Sequence, residues 1–217
     1  MKNIQPSHLN YLLITAAAWT GAALLGVWLL DSALLRVLEN GILTQTSAAA
    51  LMAVIIAAAQ TILVKGLRFW PWLLATAAGL ILGANGAYLG WMASQLPILR
   101  GITGAVWLDW VLWWGYVFLL TGLGSLPAGI LAGLGRKWAV IKGKTGVWIG
   151  TGVLNWAVSL GAAGVLLQLF KTGRYFYAGG FRSGPLLLRF ALVGIVVGLL
   201  QGWILGRRLT RLLILEG

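Results

Sequence analysis

The chain has no cysteine, only four acidic residues and a single histidine in 217 residues. Without thiols it can form neither a disulfide nor a thiolate metal site. The acids are Asp31, Glu39, Asp109 and Glu216, and the histidine is His8. No one apolar run holds a His–acid pair, a carboxylate pair or a metal-ligand cluster. An enzyme would have to work with Ser, Thr, Tyr, Lys and Arg alone, so the expectation is a protein that is not an enzyme and holds no metal. Charge of any sign is scarce too: charged residues make up 9% of the chain, against about 25% in soluble domains. That is too little to coat a water-soluble globule.

What is present is apolar length. Six runs of roughly 20 residues, enough to cross a bilayer core, fall at 11–30, 46–64, 71–92, 116–135, 147–169 and 187–206. The expected fold is all-α, one polytopic membrane domain over residues 1–217. The first run shows no small-residue cleavage site and reads as an uncleaved span. Residues 104–115, GAVWLDWVLWWG, pack four tryptophans around Asp109 and read as a helix in the membrane interface, where indoles favour the headgroup level.

Sixteen Lys and Arg give a formal net charge of +12. Because these bases lie between apolar runs, the partner they imply is a bilayer with anionic headgroups, and no nucleic acid. Ten of the bases lie on the side shared by both termini and the second and fourth loops, and six on the other. The bias puts both termini in the cytoplasm.

The runs also repeat. LMAVIIAAAQTILVKG, ILAGLGRKWAVIKG and VVGLLQGWILGRR each carry small and apolar residues into basic charge, two of them through a glutamine, Gln60 and Gln201. WTGAALLG, LATAAGLILG and IGTGVLNWAVSLG share a threonine followed by glycines. Three diverged tandem helical hairpins account for this. AAAQTILVKGLRFWPWLLATAAGLILG resembles the repeats of uncharacterised multipass proteins of cyanobacteria, of the type GLAQWLVLRR followed by WWVLATALGWALG. The resemblance covers about half of the chain. It implies a plasma or thylakoid membrane and brings no catalytic residues.

Gln60, Gln201 and Asn155, with Arg136 or Lys137, form a candidate polar centre where the repeats converge. The plainer alternative is interhelical glue, each amide finding a partner on a neighbouring helix for ~0.6–2 kcal/mol. Asn85 and Gln168 admit the same two readings. Gly79/Gly83, Gly86/Gly90, Gly129/Gly133, Gly194/Gly198 and Gly198/Gly202 recur at four-residue spacing, which suits close helix packing within the bundle or against a partner.

The fifth loop interleaves Lys171, Arg174 and Arg182 with Tyr175, Tyr177 and Phe181. It reads either as a partner-binding surface or as a headgroup anchor. Thirteen tryptophans leave bound lipid, chlorophyll or carotenoid open, although an interfacial belt explains many of them. The leading functional expectation is a non-enzymatic accessory or scaffold subunit of a membrane complex, touching membrane-protein partners through its small-residue faces and this loop. The alternative is a small-solute transporter, or a lipid- or pigment-binding protein, with a polar centre.

Overall fold

A computed structural model of the chain describes residues 8–31, 41–64, 67–94, 106–140, 144–169 and 184–214. Among the described residues every regular element is a helix: α1 (His8–Asp31), α2 (Gly41–Leu63), α3 (Phe69–Ser94), α4 (Val106–Gly124), α5 (Leu126–Val140), α6 (Thr145–Leu169) and α7 (Gly184–Ile214). Three are long and apolar enough to cross a membrane, over His8–Trp28, Thr145–Leu169 and Leu187–Leu209. The pair Leu108–Gly124 and Leu126–Val140, bent by 47°, makes a fourth if it counts as one span. The apolar part of α2, Thr46–Ile62, is shorter. The chain is an all-helical integral membrane protein.

One boundary differs from the sequence reading. An interfacial helix over 104–115 followed by a span over 116–135 requires a break near residue 115. Instead α4 runs unbroken from Val106 to Gly124, and the break falls at Ser125. The sequence GLGSLP explains the shift. Ser125 takes the N-cap position of α5, its carbonyl accepting from Gly129 N–H at 3.1 Å. Pro127 sits in the first turn, where its missing N–H costs nothing. The Ser125 N–H and hydroxyl both donate to the Gly122 carbonyl, at 3.1 and 2.6 Å, satisfying backbone that the bend frees.

The helices close into a ring, with α4 and α5 acting as one column. α1 packs on α2, α2 on α3, α3 on α4 and α5, these on α6, α6 on α7, and α7 back on α1. Sequence neighbours in the ring are hairpins, α1 with α2, α3 with α4 and α5, and α6 with α7. Glycines set the tightest approaches. Gly86 and Gly124 face each other so closely that a Cβ on either would enter the other's carbonyl. A Cβ at Gly198 would lie 2.5 Å from Ala16 Cα, and at Gly202 2.9 Å from Leu12 Cα. The glycine pairs seen in the sequence therefore face neighbouring helices within this chain.

The distribution of polarity is inverted relative to a soluble protein. Leu9, Leu74, Leu119, Leu154, Leu188 and Ile62 are exposed, while Thr15, Gln60, Thr76, Arg136, Asn155 and Gln201 are buried. Water gives no reason for such an arrangement, whereas hydrocarbon does, because a polar side chain in lipid gains by turning inward. Exposed tryptophans mark both ends of the bundle: Trp28 and Trp110 at one, Trp70, Trp138 and Trp203 at the other. From Trp110 to Trp138 the bent column follows roughly 42 Å of helix at 1.5 Å per residue. The 47° bend makes the end-to-end separation shorter than this path, between the ~30 Å hydrocarbon core and the ~40–45 Å bilayer with its headgroups, which suits two aromatic belts.

Candidate functional site

The bundle interior holds two apolar clusters. One, toward the basic ends of the helices, gathers Tyr11, Ala57, Val64, Trp72, Ala139, Trp148, Leu205 and Leu209. The other lies deeper and is built on Trp19, Ala53, Ile56, Leu80, Ala132, Trp156 and Val197. Trp19 and Trp156 meet there edge to face, with ring centroids 6.2 Å apart.

Helical register places a polar residue between these clusters on five of the six columns. Thr15 falls between Tyr11 and Trp19, Gln60 between Val64 and Ile56, and Thr76 between Trp72 and Leu80. Arg136 falls between Ala139 and Ala132, and Gln201 between Leu205 and Val197. Each polar residue is three or four positions from both flanking residues and so shares their helix face. All five are at most 1% exposed.

Direct contacts tie three helices together within this layer. The Trp72 indole N–H on α3 donates to Gln60 Oε1 on α2 at 2.9 Å. The Arg136 guanidinium of α5 lies over the Trp72 ring at 5.4 Å, within the range of a cation–π contact.

The unsatisfied atoms of the layer are mostly donors. Gln60 Nε2, Gln201 Nε2 and Arg136 Nε and Nη1 have no hydrogen-bond partner among the described residues, and neither do the hydroxyls of Tyr11 and Thr15. The amide and guanidinium nitrogens can only donate. No described carboxylate is near: Asp109 lies in the first turn of α4, at the opposite end of the bundle. Arginine cannot shed its charge when buried, as lysine or a carboxylic acid can. The layer thus has positive charge and surplus N–H groups, and it wants an acceptor.

The residues expected from sequence are sorted by this geometry. Gln60, Gln201 and Arg136 join the layer, while Lys137, one position further round α5, is only half-buried. Asn155 is fully buried but deeper, beside Trp156, where its amide, the Ser159 hydroxyl and the indole nitrogens of Trp19 and Trp156 form a second unpartnered group. Asn85 is satisfied locally, donating to the Ile81 carbonyl at 2.7 Å. Lys171, Arg174, Tyr175, Tyr177, Phe181 and Arg182 lie outside the described residues. Tyr11, Thr15 and Trp72 were not anticipated. Trp72 was hidden among the belt tryptophans, and Tyr11 and Thr15 lie at helical spacing in α1, a signal that could have found them. Among the described residues no cluster of His, Asp or Glu could hold a metal ion.

Comparison with protein-family models, with curated proteins and with solved structures finds no match.

Proposed function

We propose that the chain is a non-enzymatic multipass membrane protein, six spans in three hairpins, that works through its polar layer. In this reading it is a small-solute carrier or a lipid-binding protein that holds a polar group inside the helix ring. One observation carries the reading: five columns place a buried polar residue at one level, and several of those residues keep donors without partners. Interhelical glue would give each amide a partner on a neighbouring helix; Gln60 Oε1 has one in Trp72, while Nε2 of Gln60 and of Gln201 have none among the described residues. The accessory-subunit reading drew on small-residue faces and the fifth loop; the glycine pairs among those faces pack within the chain, and the loop lies outside the described residues.

Native purification tests the proposal. Mass spectrometry of the protein in its own lipid is expected to find one polar or polar-headed molecule per chain, lost in Gln60→Leu and Gln201→Leu. A protein free of any retained molecule would sink it.

The orientation follows the ten-to-six excess of bases, with both termini cytoplasmic and, on the cyanobacterial resemblance, a plasma or thylakoid membrane as host. A cysteine at Lys144 should be labelled from the cytoplasmic side only and one at Val106 from the opposite side only. Labelling of both from one side would overturn the arrangement of spans.

A further inference from the structure

We infer that Arg136 is the anchor of an anion site within the polar layer, and that its ligand is a carboxylate or a phosphate group. The inference rests on the polar-layer reading and narrows it to one chemistry. A neutral ligand could satisfy the amides of Gln60 and Gln201, but it would leave the guanidinium charge in a low-dielectric interior without compensation. The Tyr11 phenol can accept an N–H from Arg136, yet as a neutral group it does not offset the charge. Stacking on Trp72 sets the guanidinium against the ring face, and its Nε and Nη1 keep no hydrogen-bond partner among the described residues.

Nε and Nη1 do not share one edge of the guanidinium, so each offers its own charge-assisted N–H to an oxygen of a carboxylate or phosphate. Gln60 Nε2 is pre-aimed, because its Oε1 is held by the Trp72 indole and the amide cannot flip without breaking that bond. Gln201 Nε2 and the hydroxyls of Tyr11 and Thr15 supply further donors at the same level. The donor set has many N–H and O–H groups, one fixed positive charge and no described carboxylate, so it repels cations and favours a single negative charge.

The shared chemistry has two sources, a free solute anion or the phosphate of an anionic lipid. The test separates them by thermal unfolding of the purified chain in phosphatidylcholine nanodiscs. One arm adds sodium phosphate or sodium benzoate against sodium chloride of equal ionic strength. The other replaces part of the phosphatidylcholine with phosphatidylglycerol and adds no soluble anion.

Either the soluble anions or phosphatidylglycerol should raise the midpoint by roughly 5–10 °C near a hundredfold excess over Kd. Arg136→Gln should abolish that rise. Arg136→Lys, which keeps the charge but offers one nitrogen in place of three, should reduce it. Substitution of the end-of-helix bases, Arg207→Gln with Arg208→Gln, should leave it intact, and this arm decides the matter if the Arg136 variants do not fold.

No rise in either arm, a full rise in Arg136→Gln, or loss of the rise in the Arg207/Arg208 variant would overturn the assignment. A neutral molecule that Gln60→Leu loses and Arg136→Gln retains would overturn the anion while leaving the polar-layer reading standing. No bound molecule of any kind would remove both.

Discussion

Gln60 and Gln201 look alike in sequence, each among small apolar residues and a few positions before basic charge, but the structure holds them by different means. At the α2–α3 corner, Gln60 is fixed by a side chain: its carbonyl oxygen accepts from Trp72 at 2.9 Å, and Trp72 carries Arg136 on its face. At the α1–α7 seam, Gln201 lies between Gly198 and Gly202, which bring the backbone of α1 against α7. There the position of the amide is set by how closely two helices approach. A repeated motif can thus fix the place of a side chain without fixing what holds it there.

The seam should be the more fragile of the two. Gly198→Val puts branched carbon where even a Cβ would lie 2.5 Å from Ala16 Cα and 2.9 Å from the Thr15 carbonyl oxygen. Overpacking against backbone costs ~1–3 kcal/mol or more, and the expected result is a lowered unfolding midpoint or loss of the folded protein. On the facing helix, a Cβ at Gly21 meets nothing within 4 Å, so Gly21→Ala should stay within about 0.5 kcal/mol of the parent. Equal losses from the two would mean that α1 and α7 are not in backbone contact.

The glutamines themselves give a smaller, graded contrast. Gln60→Leu leaves the buried Trp72 N–H without its acceptor, at about 1–3 kcal/mol. Gln201→Leu removes an amide whose nitrogen has no partner among the described residues and should cost less, below about 1 kcal/mol. Unfolding followed by tryptophan fluorescence in matched nanodiscs measures both. A larger loss at Gln201 would reverse the comparison and show that the seam depends on its amide.

Sequence reading recovered the helical class, because 20-residue apolar runs leave few alternatives in lipid. It also named Gln60 and Gln201, with Arg136 or Lys137, as one candidate centre from their repeated position. It misplaced the break in the α4–α5 column because tryptophans around Asp109 signal an interface more loudly than GLGSLP signals a bend. The threonine theme of the odd-numbered runs did not mark equivalent places. All three threonines donate to carbonyls four positions back in their own helices, but Thr76 is buried in the polar layer while Thr20 and Thr151 lie away from it. Small apolar segments align in several registers, and only packing chooses among them. The partner of Arg136 was illegible for a related reason: Trp72 is distant in sequence and meets it only because α3 packs on α5.

The closure of the ring between its first and last helices has a consequence for the order of assembly. His8 approaches the Trp203 carbonyl across 195 positions of sequence, so this contact is among the last that a growing chain can make. Tyr11, Gln60 and Trp72 are all synthesised before Arg136. The arginine therefore enters the membrane with its aromatic and amide neighbours already in place, and its charge need not wait in lipid for company. Gln201 and the glycines of α7 arrive afterwards and seal α1 against the end of the chain. A chain interrupted before α7 would display the Leu12–Thr20 face of α1, with its buried hydroxyl and indole, to the surrounding bilayer, a feature by which quality-control machinery could tell an unfinished copy from a finished one.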